Sequence, residues 1–322
     1  MKKKLFITRP LPENVIKKAG LFFTLNVRKS VLPTKKQELV YALQNFDAII
    51  GTIGDEFNST VFSEVIKPRT KIIANFGVGY DHLDLNAAKN LRIKVTNTPN
   101  VVTDATADIA MALILMVCRR AVEGDRLVRS GEWKGWNPMQ MLGAPVSGST
   151  LGIIGMGRIG KAIARRGNLG FGMPVLYYNR SEVPDDGLQN SHQVNNLDDL
   201  LVNADIVVIS LPGGPETYHL INRKSFEKMK STSILINIAR GEIVNEIDLM
   251  DALKNKIIRG AGLDVYEFEP KVPKALTDLE NVVLLPHLGT AALPVREKMG
   301  EVALENIMTC LLDQKEPPNL IN

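Results

Sequence analysis

Short apolar runs alternate with longer segments of helical periodicity along most of the chain. This alternation is typical of parallel β-sheets whose faces are covered by helices. The pattern predicts an α/β protein built on doubly wound parallel sheets. In the first third, the predicted strands are Lys4–Thr8, Asp47–Ile50 and Lys71–Phe76, and the helices between them are Pro12–Ala19, Lys35–Ala42 and Ser59–Ile66.

A second strand–helix series begins at Leu151 and predicts an open six-stranded sheet. A last helix, about Leu293 to Leu312, follows the final strand, and we expect it to pack back on the first domain. The predicted domains are therefore a discontinuous one, residues 1–100 with 291–322, and a central one, residues 101–290. The predicted strands of the second sheet are Leu151–Gly155, Val175–Tyr178, Ile206–Ser210, Ser233–Ile238, Ala261–Val265 and Val282–Leu285.

Between the two series lies a segment that is apolar around much of a helical circumference. Thr103 and Asp104 are suited to cap a long buried helix from about Ala105 to Arg129. The stretch Gly131–Gly148 that follows is too long for a simple connection, and loops of this length usually make contacts of their own.

Composition narrows the functional classes without naming one. The 322 residues are 45% apolar and carry 39 Lys and Arg against 35 Asp and Glu, a net charge of +4 that argues against a nucleic-acid partner. The longest apolar run, Ile109–Cys118, is too short to span a membrane. Cys118 and Cys310 show no metal or redox spacing, so we expect no metal and a reducing, cytoplasmic setting.

A glycine-rich turn follows the first strand of the second series. Gly155, Gly157 and Gly160 stand in the spacing G-x-G-x-x-G between the strand LGIIG and the helix RIGKAIARR. In this strand–turn–helix context, the glycines permit a tight turn, close approach of a pyrophosphate and close helix–strand packing. The helix N-terminus offers N–H groups and partial positive charge to the phosphates. The central domain is therefore predicted to be a Rossmann-like, dinucleotide-binding domain.

The end of the next strand indicates which dinucleotide binds. A carboxylate there would accept a hydrogen bond from the ribose 2′-hydroxyl of NAD. This chain has Asn179, Arg180 and Ser181 instead, and an arginine beside a serine suits a 2′-phosphate. The residues favour NADP(H), with NAD(H) as the alternative.

Three polar residues follow three separate strands at their carboxyl ends: Arg240, Glu269 and His287. Ligands of open α/β sheets bind outside this edge, so we expect the three side chains to converge there. Reduction of a 2-oxo acid needs a proton donor, a role for His287, and a carboxylate that favours the imidazolium, a role for Glu269. Arg240 suits the substrate carboxylate.

Other residues compete for parts of this chemistry. His192 and His219 are weaker candidates for the proton donor, and His82 is a candidate substrate contact. His82 lies beside the loop Gly77–Asp81, whose two glycines allow backbone N–H groups to point at an anion. We expect this loop to bind the substrate carboxylate.

The motifs together resemble the D-isomer-specific 2-hydroxyacid dehydrogenases, and within them the glyoxylate/hydroxypyruvate reductases. The resemblance covers nearly the whole chain and runs through NFGVGYDHLD, NTPNVVTDATADIAMALIL, GEWKGWNP, LGIIGMGRIGKAIARR, INIARGEIVNEIDL, AGLDVYEFEP and LLPHLGTA.

The resemblance implies two Rossmann-like domains with a cleft between them, a flavodoxin-like substrate domain (1–100 with 291–322), and a homodimer built through residues 104–150. It assigns the catalytic roles to Arg240, Glu269 (rather than Glu267) and His287, and carboxylate binding to the backbone of Val78 and Gly79. Asp264 would meet the nicotinamide amide. Further cofactor contacts would fall on Thr103, Arg158, Ile159, Pro212, Thr217, Ala239 and Gly289.

One departure leaves the substrate open. Mammalian-type reductases carry a tryptophan where this chain has Gln140, so another 2-oxo acid, such as 2-ketogluconate or a 3-phosphoglycerate-type substrate, remains an alternative. A second alternative is non-enzymatic, because the same fold serves dinucleotide-gated dimeric binding proteins that keep similar catalytic residues.

Overall fold

A computed structural model describes residues 2–184 and 187–322 of the chain. The chain divides into two compact units: the first comprises the residues up to Val102 together with Ala291–Asn322, and the second comprises Thr103–Thr290. Each unit is a parallel β-sheet with helices, which confirms the predicted α/β fold. Within the described residues, no helix combines the length and apolarity that crossing a membrane requires.

The first unit has a five-stranded sheet in the order β2-β1-β3-β4-β5, and every neighbouring pair is parallel. Strand order reverses between β1 and β3, which is the flavodoxin-like arrangement. The strands are β1 (Lys4–Ile7), β2 (Thr24–Val27), β3 (Ala48–Thr52), β4 (Ile72–Phe76) and β5 (Lys94–Thr96). The helices are α1 (Glu13–Phe22), α2 (Lys36–Asn45), α3 (Ser59–Phe62), α4 (Leu85–Asn90) and the late α12 (Leu293–Leu311).

Helix α12 belongs to the first unit although it is the last helix in sequence. Its buried residues Met299, Ala303 and Ile307 share one apolar cluster with strand residues such as Ile72. Packing is close at Gly300, where a Cβ atom would lie 2.5 Å from the Val15 side chain. The chain end adds a further tie, because the N–H of residue 321 donates to the Val95 carbonyl at 2.9 Å.

The second unit has a seven-stranded parallel sheet in the order β12-β11-β10-β9-β6-β7-β8. The strands are β6 (Leu151–Ile154), β7 (Val175–Tyr178), β8 (Ser191–Gln193), β9 (Ile206–Ile209), β10 (Ile234–Asn237), β11 (Gly260–Leu263) and β12 (Val282–Leu284). The helices are α5 (Thr103–Cys118), α6 (Ala121–Arg129), α7 (Arg158–Arg165), α8 (Leu197–Asn203), α9 (Arg223–Lys228), α10 (Glu246–Lys254) and α11 (Lys274–Thr277).

Strand order in this second sheet reverses between β6 and β9. Chain segments that leave β6 and β9 therefore diverge to opposite sides, which opens a crevice outside the carboxyl ends of the strands. Two apolar clusters cover the two faces of the sheet, and strands such as Ile206–Ile209 contribute alternate residues to each. All parallel strands end at the same edge, and this edge carries the residues described below.

Three strands were absent from the sequence prediction: β2, β5 and β8. All three lie at sheet edges. An edge strand pairs on one side only and needs few apolar side chains, and β8 consists of Ser191, His192 and Gln193. The predicted six-stranded second sheet is therefore wrong by one strand, and His192 lies on that strand.

The single helix predicted from Ala105 to Arg129 is also wrong, because α5 ends at Cys118 and α6 begins at Ala121. Arg120 between them has a left-handed backbone (φ 52°). The cause is a tertiary contact: the Cys118 carbonyl accepts a hydrogen bond from the N–H of Ala144 at 2.8 Å. No glycine or proline marks this break in the sequence.

Candidate active site

The glycine turn joins β6 to α7, and each of its glycines meets a different steric demand. Gly155 has φ 98°, a conformation that favours glycine, and a Cβ atom there would lie 2.8 Å from Leu211. A Cβ atom on Gly160 would lie 2.2 Å from the Gly155 carbonyl oxygen. Both positions require glycine for packing within the protein itself.

Gly157 differs, since no atom of the described residues, its two chain neighbours aside, lies within 4 Å of where its Cβ atom would be. Gly157 precedes the first residues of α7, Arg158 and Ile159, and no side chain caps this helix end. The turn therefore combines open space with N–H groups at a helix N-terminus, which is the surface that a pyrophosphate needs. The residues present fit a dinucleotide.

The end of β7 is tied to this turn. Asn179 Oδ1 accepts a hydrogen bond from the N–H of Met156 at 3.2 Å, and Asn179 Nδ2 donates to the Ser181 carbonyl at 2.9 Å. Arg180 lies between them with a side chain that is 90% exposed, and its Nη1 is 3.0 Å from Glu216 Oε2. The three residues predicted to contact the ribose are therefore next to the glycine turn.

Arg240 lies three residues past the end of β10. Asn237 Nδ2 donates to the Arg240 carbonyl at 2.9 Å, and Arg240 Nη1 donates to the Ala239 carbonyl at 2.8 Å. The next residue, Gly241, approaches Tyr266 so closely that a Cβ atom would lie 1.8 Å from its carbonyl carbon. This contact brings Arg240 beside the segment after β11.

Glu269 and His287 form a hydrogen-bonded pair. His287 Nδ1 and Glu269 Oε2 are 2.9 Å apart, and each side chain is 32% exposed. Burial by itself would raise the pKa of Glu269. The bond to His287, the N–H of Tyr266 and the charge of Arg240 outweigh burial and hold this pKa below its usual range. An ionised carboxylate only accepts, so Nδ1 carries the hydrogen and Nε2 is left to exchange a proton.

The loop that carries His287 is held by Asp264. The backbone of His287 is left-handed (φ 54°), a conformation that few non-glycine residues adopt. Asp264 accepts three N–H groups: its carbonyl accepts from His287, and its carboxylate oxygens accept from Leu288 and Gly289 at 2.6 and 2.8 Å. Burial raises the pKa of Asp264 despite these bonds. Asp264 is thus a support for the imidazole, which the sequence had not revealed.

A second histidine–glutamate pair lies nearby. His219 Nε2 is 2.8 Å from Glu267 Oε1, and Asn245 Nδ2 donates to His219 Nδ1 at 3.3 Å. Both ring nitrogens of His219 are therefore engaged within the protein. Glu246, only 4% exposed, accepts the N–H of Glu267 at 2.8 Å. This pair fastens the segment before Glu269.

The remaining predicted cofactor contacts occupy the same unit. Thr217 Oγ1 donates to the Pro212 carbonyl at 3.0 Å and so shapes the loop after β9. Ala239 is buried, and its N–H donates to Asn237 Oδ1 at 3.0 Å. Thr103 is the first residue of α5, and the Gly289 carbonyl accepts a bond from Thr106, one helical turn further on.

The predicted carboxylate loop belongs to the first unit and is built by asparagines. Asn75 Nδ2 donates to the carbonyls of Gly77 and Gly79 at 3.1 and 2.9 Å, and Asn97 Nδ2 donates to the Val78 carbonyl at 2.9 Å. In a trans peptide the N–H points opposite to the carbonyl, so the N–H groups of Val78 and Gly79 point away from these asparagines.

His82 is buried, and its Nε2 lies 3.1 Å from Asn75 Oδ1. Its position is thus behind the carboxylate loop, where it orients Asn75. Sequence reasoning missed both asparagines, because an asparagine at a strand end is usually interpreted as a turn residue.

This arrangement joins an ionised carboxylate, an imidazole with one exchangeable nitrogen and a guanidinium at the edge where a dinucleotide fits. An imidazole in such a pair delivers a proton to a carbonyl oxygen, and a guanidinium binds a carboxylate. The described geometry suits reduction of a carbonyl that stands next to a carboxylate.

Comparison with known proteins points to the same chemistry. The family model described as D-isomer specific 2-hydroxyacid dehydrogenase, NAD binding domain, matches residues 111–289. A glyoxylate reductase of Thermococcus kodakarensis is 43% identical over all of this chain and 97% of its own length. A glyoxylate reductase of Pyrococcus horikoshii is 44% identical over all of this chain and 96% of its own length.

A similar solved structure is the NADPH-dependent glyoxylate/hydroxypyruvate reductase of Sinorhizobium meliloti in complex with NADP and malonate. It superposes with a TM-score of 0.88 at 28% identity and covers all of this chain and 97% of that one.

Proposed function

The chain belongs to the D-isomer specific 2-hydroxyacid dehydrogenase family, and from that membership we propose that it reduces glyoxylate to glycolate and hydroxypyruvate to D-glycerate. It is an NAD(P)-dependent enzyme that acts on small 2-oxo acids. The observation that carries the proposal is the 2.9 Å pairing of His287 with Glu269 at the dinucleotide edge. The names of the relatives support the choice of substrates.

In the proposed reaction, the bound nicotinamide dinucleotide supplies a hydride to the carbonyl carbon. His287 Nε2 gives its proton to the carbonyl oxygen, and the Glu269 carboxylate compensates the positive charge of the imidazolium before the transfer. The products are the 2-hydroxy acid and the oxidised dinucleotide, so one hydride and one proton account for the two hydrogens gained.

Two groups would orient the 2-oxo acid. Arg240 would bind its carboxylate and polarise its carbonyl group, since a guanidinium presents paired N–H donors to such oxygens. Within the first unit, the N–H groups of Val78 and Gly79 are further proposed donors to a carboxylate, because the carbonyls of their loop are already bonded by Asn75 and Asn97. Both contacts place negative charge against fixed donors.

The proposed cofactor contacts are the glycine turn with Arg158 and Ile159. Further proposed contacts follow β7, β9 and β11: Asn179–Ser181, Pro212, Thr217 and Asp264. NADPH is the proposed preference because Arg180 and Ser181 stand where an NAD enzyme would have a carboxylate. NADH would be accepted with lower affinity.

The test is a kinetic screen of purified enzyme with glyoxylate, hydroxypyruvate, pyruvate and 2-ketogluconate, each with NADPH and NADH. We expect the highest kcat/KM with glyoxylate or hydroxypyruvate and NADPH, and D-glycerate from hydroxypyruvate by chiral chromatography. A higher kcat/KM with 2-ketogluconate would contradict the proposed substrates. No turnover with any 2-oxo acid, despite dinucleotide binding, would favour a dinucleotide-gated binding protein.

The quaternary structure proposed for the enzyme is a homodimer formed through residues 104–150. The end of α6 and the stretch that follows it expose several large apolar side chains: Val128, Trp133, Trp136, Met139 and Leu142. Such a concentration marks an interaction surface. Light scattering should give about twice the mass of the chain. A monomer at micromolar concentration would contradict the proposal.

A further inference from the structure

Arg180, which follows β7 and is proposed to bind the 2′-phosphate of NADPH, forms an ion pair with Glu216. The sequence has no carboxylate at the end of this strand, but the fold supplies one from elsewhere in the chain. Glu216, in the loop after β9, places Oε2 3.0 Å from Arg180 Nη1. Strand β6 with its glycine turn lies between these two strands in the sheet. The carboxylate thus reaches the ribose end of the crevice from the opposite side of the glycine turn.

The loop that carries Glu216 is ordered by its own hydrogen bonds. The N–H of Thr217 donates to the Gly214 carbonyl at 3.0 Å, and Thr217 Oγ1 donates to the carbonyls of Pro212 and Gly214. The N–H of Gly214 donates to Glu242 Oε1 at 3.1 Å. These bonds hold the backbone of residue 216 within reach of Arg180.

We propose that Glu216 competes with the 2′-phosphate of NADPH for Arg180 and thereby limits the preference for NADPH over NADH. The proposal rests on the proposed role of Arg180 in cofactor choice. Glu216 is a specificity-determining residue because its negative charge acts against the phosphorylated dinucleotide and has little effect on one with a neutral 2′-hydroxyl.

The Arg180–Glu216 ion pair is weak enough for a 2′-phosphate to displace Glu216, so it lowers the affinity for NADPH without preventing NADPH from binding. Arg180 and Glu216 are 90% and 82% exposed, and ion pairs this exposed are weak. A phosphate bears more charge than a carboxylate and accepts an arginine bidentately, so it displaces Glu216. The displaced carboxylate stays tethered within a few ångströms and repels the phosphate.

The experiment measures binding of 2′,5′-ADP and 5′-AMP to the full chain by calorimetry. The two ligands differ only in the 2′-phosphate, and neither undergoes hydride transfer. For Glu216→Gln we expect affinity for 2′,5′-ADP to rise about two- to tenfold, with a smaller change for 5′-AMP. The gain should shrink at 0.5 M salt, because the charges are exposed and screened.

Two matched variants complete the test. Glu227→Gln, an exposed glutamate on α9, makes the same charge change elsewhere in the second unit and should leave both affinities unchanged. In an Arg180→Gln background, Glu216→Gln should lose most of its effect. Weaker or unchanged 2′,5′-ADP binding in Glu216→Gln would overturn the proposal.

Binding of the two nucleotides to the unmodified enzyme tests the proposed NADPH preference, and binding to Glu216→Gln tests the role of Glu216. If the enzyme binds 2′,5′-ADP no better than 5′-AMP, the proposed NADPH preference fails. If Glu216→Gln then binds 2′,5′-ADP more tightly, the role of Glu216 still stands. If the preference exists and Glu216→Gln does not strengthen it, only the inference about Glu216 fails.

Discussion

Replacing His287 by asparagine is expected to lower kcat for reduction by about 10²–10⁴-fold, the usual contribution of a positioned proton donor. Asparagine cannot deliver a proton from the position of Nε2, but it adopts the left-handed backbone that residue 287 requires. The fold and the dinucleotide site should therefore remain, and the loss should appear in single-turnover rates measured with saturating NADPH.

The control for this prediction is His192→Asn, the same substitution at an exposed position on the edge strand β8. We expect its kcat to match that of the unmodified enzyme. An affinity for NADPH that fell together with kcat in His287→Asn would show a structural defect. A kcat within a factor of ten of the unmodified enzyme would remove His287 from the reaction.

Replacing Glu269 by glutamine should lower kcat for reduction by about ten- to a thousandfold and move the alkaline limit of the reaction to lower pH. The pKa of Glu269 is held below its usual range, so this carboxylate is ionised at neutral pH and favours the imidazolium that donates the proton. Without the negative charge of Glu269, the protonated form that donates the proton is less favoured, and reduction stops earlier as pH rises. The measurement is kcat for reduction against pH.

Glu267→Gln is the matched control, because Glu267 lies two residues away and is bonded to His219 instead. It should lower thermal stability without moving the alkaline limit. An unchanged pH profile in Glu269→Gln would contradict the assigned role. The lowered pKa of Glu269 also makes the stability of the fold depend on pH. The ionised carboxylate stabilises the folded protein at pH values above the ordinary carboxyl pKa, and this contribution is lost as pH falls through the lowered pKa.

Several features of the fold were predictable from the sequence because their causes are local. Buried strands such as Ile206–Ile209 form apolar runs, and the glycine turn is recognisable by its spacing between a strand and a helix. Arg240, Glu269 and His287 were predicted to lie at one edge because parallel strands end there, so residues that follow different strands come close without further information. Their chemistry follows from their side-chain types.

Other features depend on contacts between segments that are distant in sequence, and only the tertiary structure reveals them. The break between α5 and α6 follows from a hydrogen bond between Cys118 and Ala144, and Glu216 meets Arg180 across the glycine turn. The sequence alone offers Glu267 and Glu269 as similar acids. Only the fold pairs Glu267 with His219 and Glu269 with His287.

The physical reason for this division is the range of the interactions. Hydrophobic periodicity and turn chemistry act over a few residues. The order of strands and helices is therefore encoded locally, and so are the polar residues that follow each strand. Hydrogen bonds and charge pairs depend on ångström distances between side chains. These distances exist only after the sheet has brought its strands together, so the sequence determined the reaction class and the tertiary structure determined which atoms are in place to carry it out.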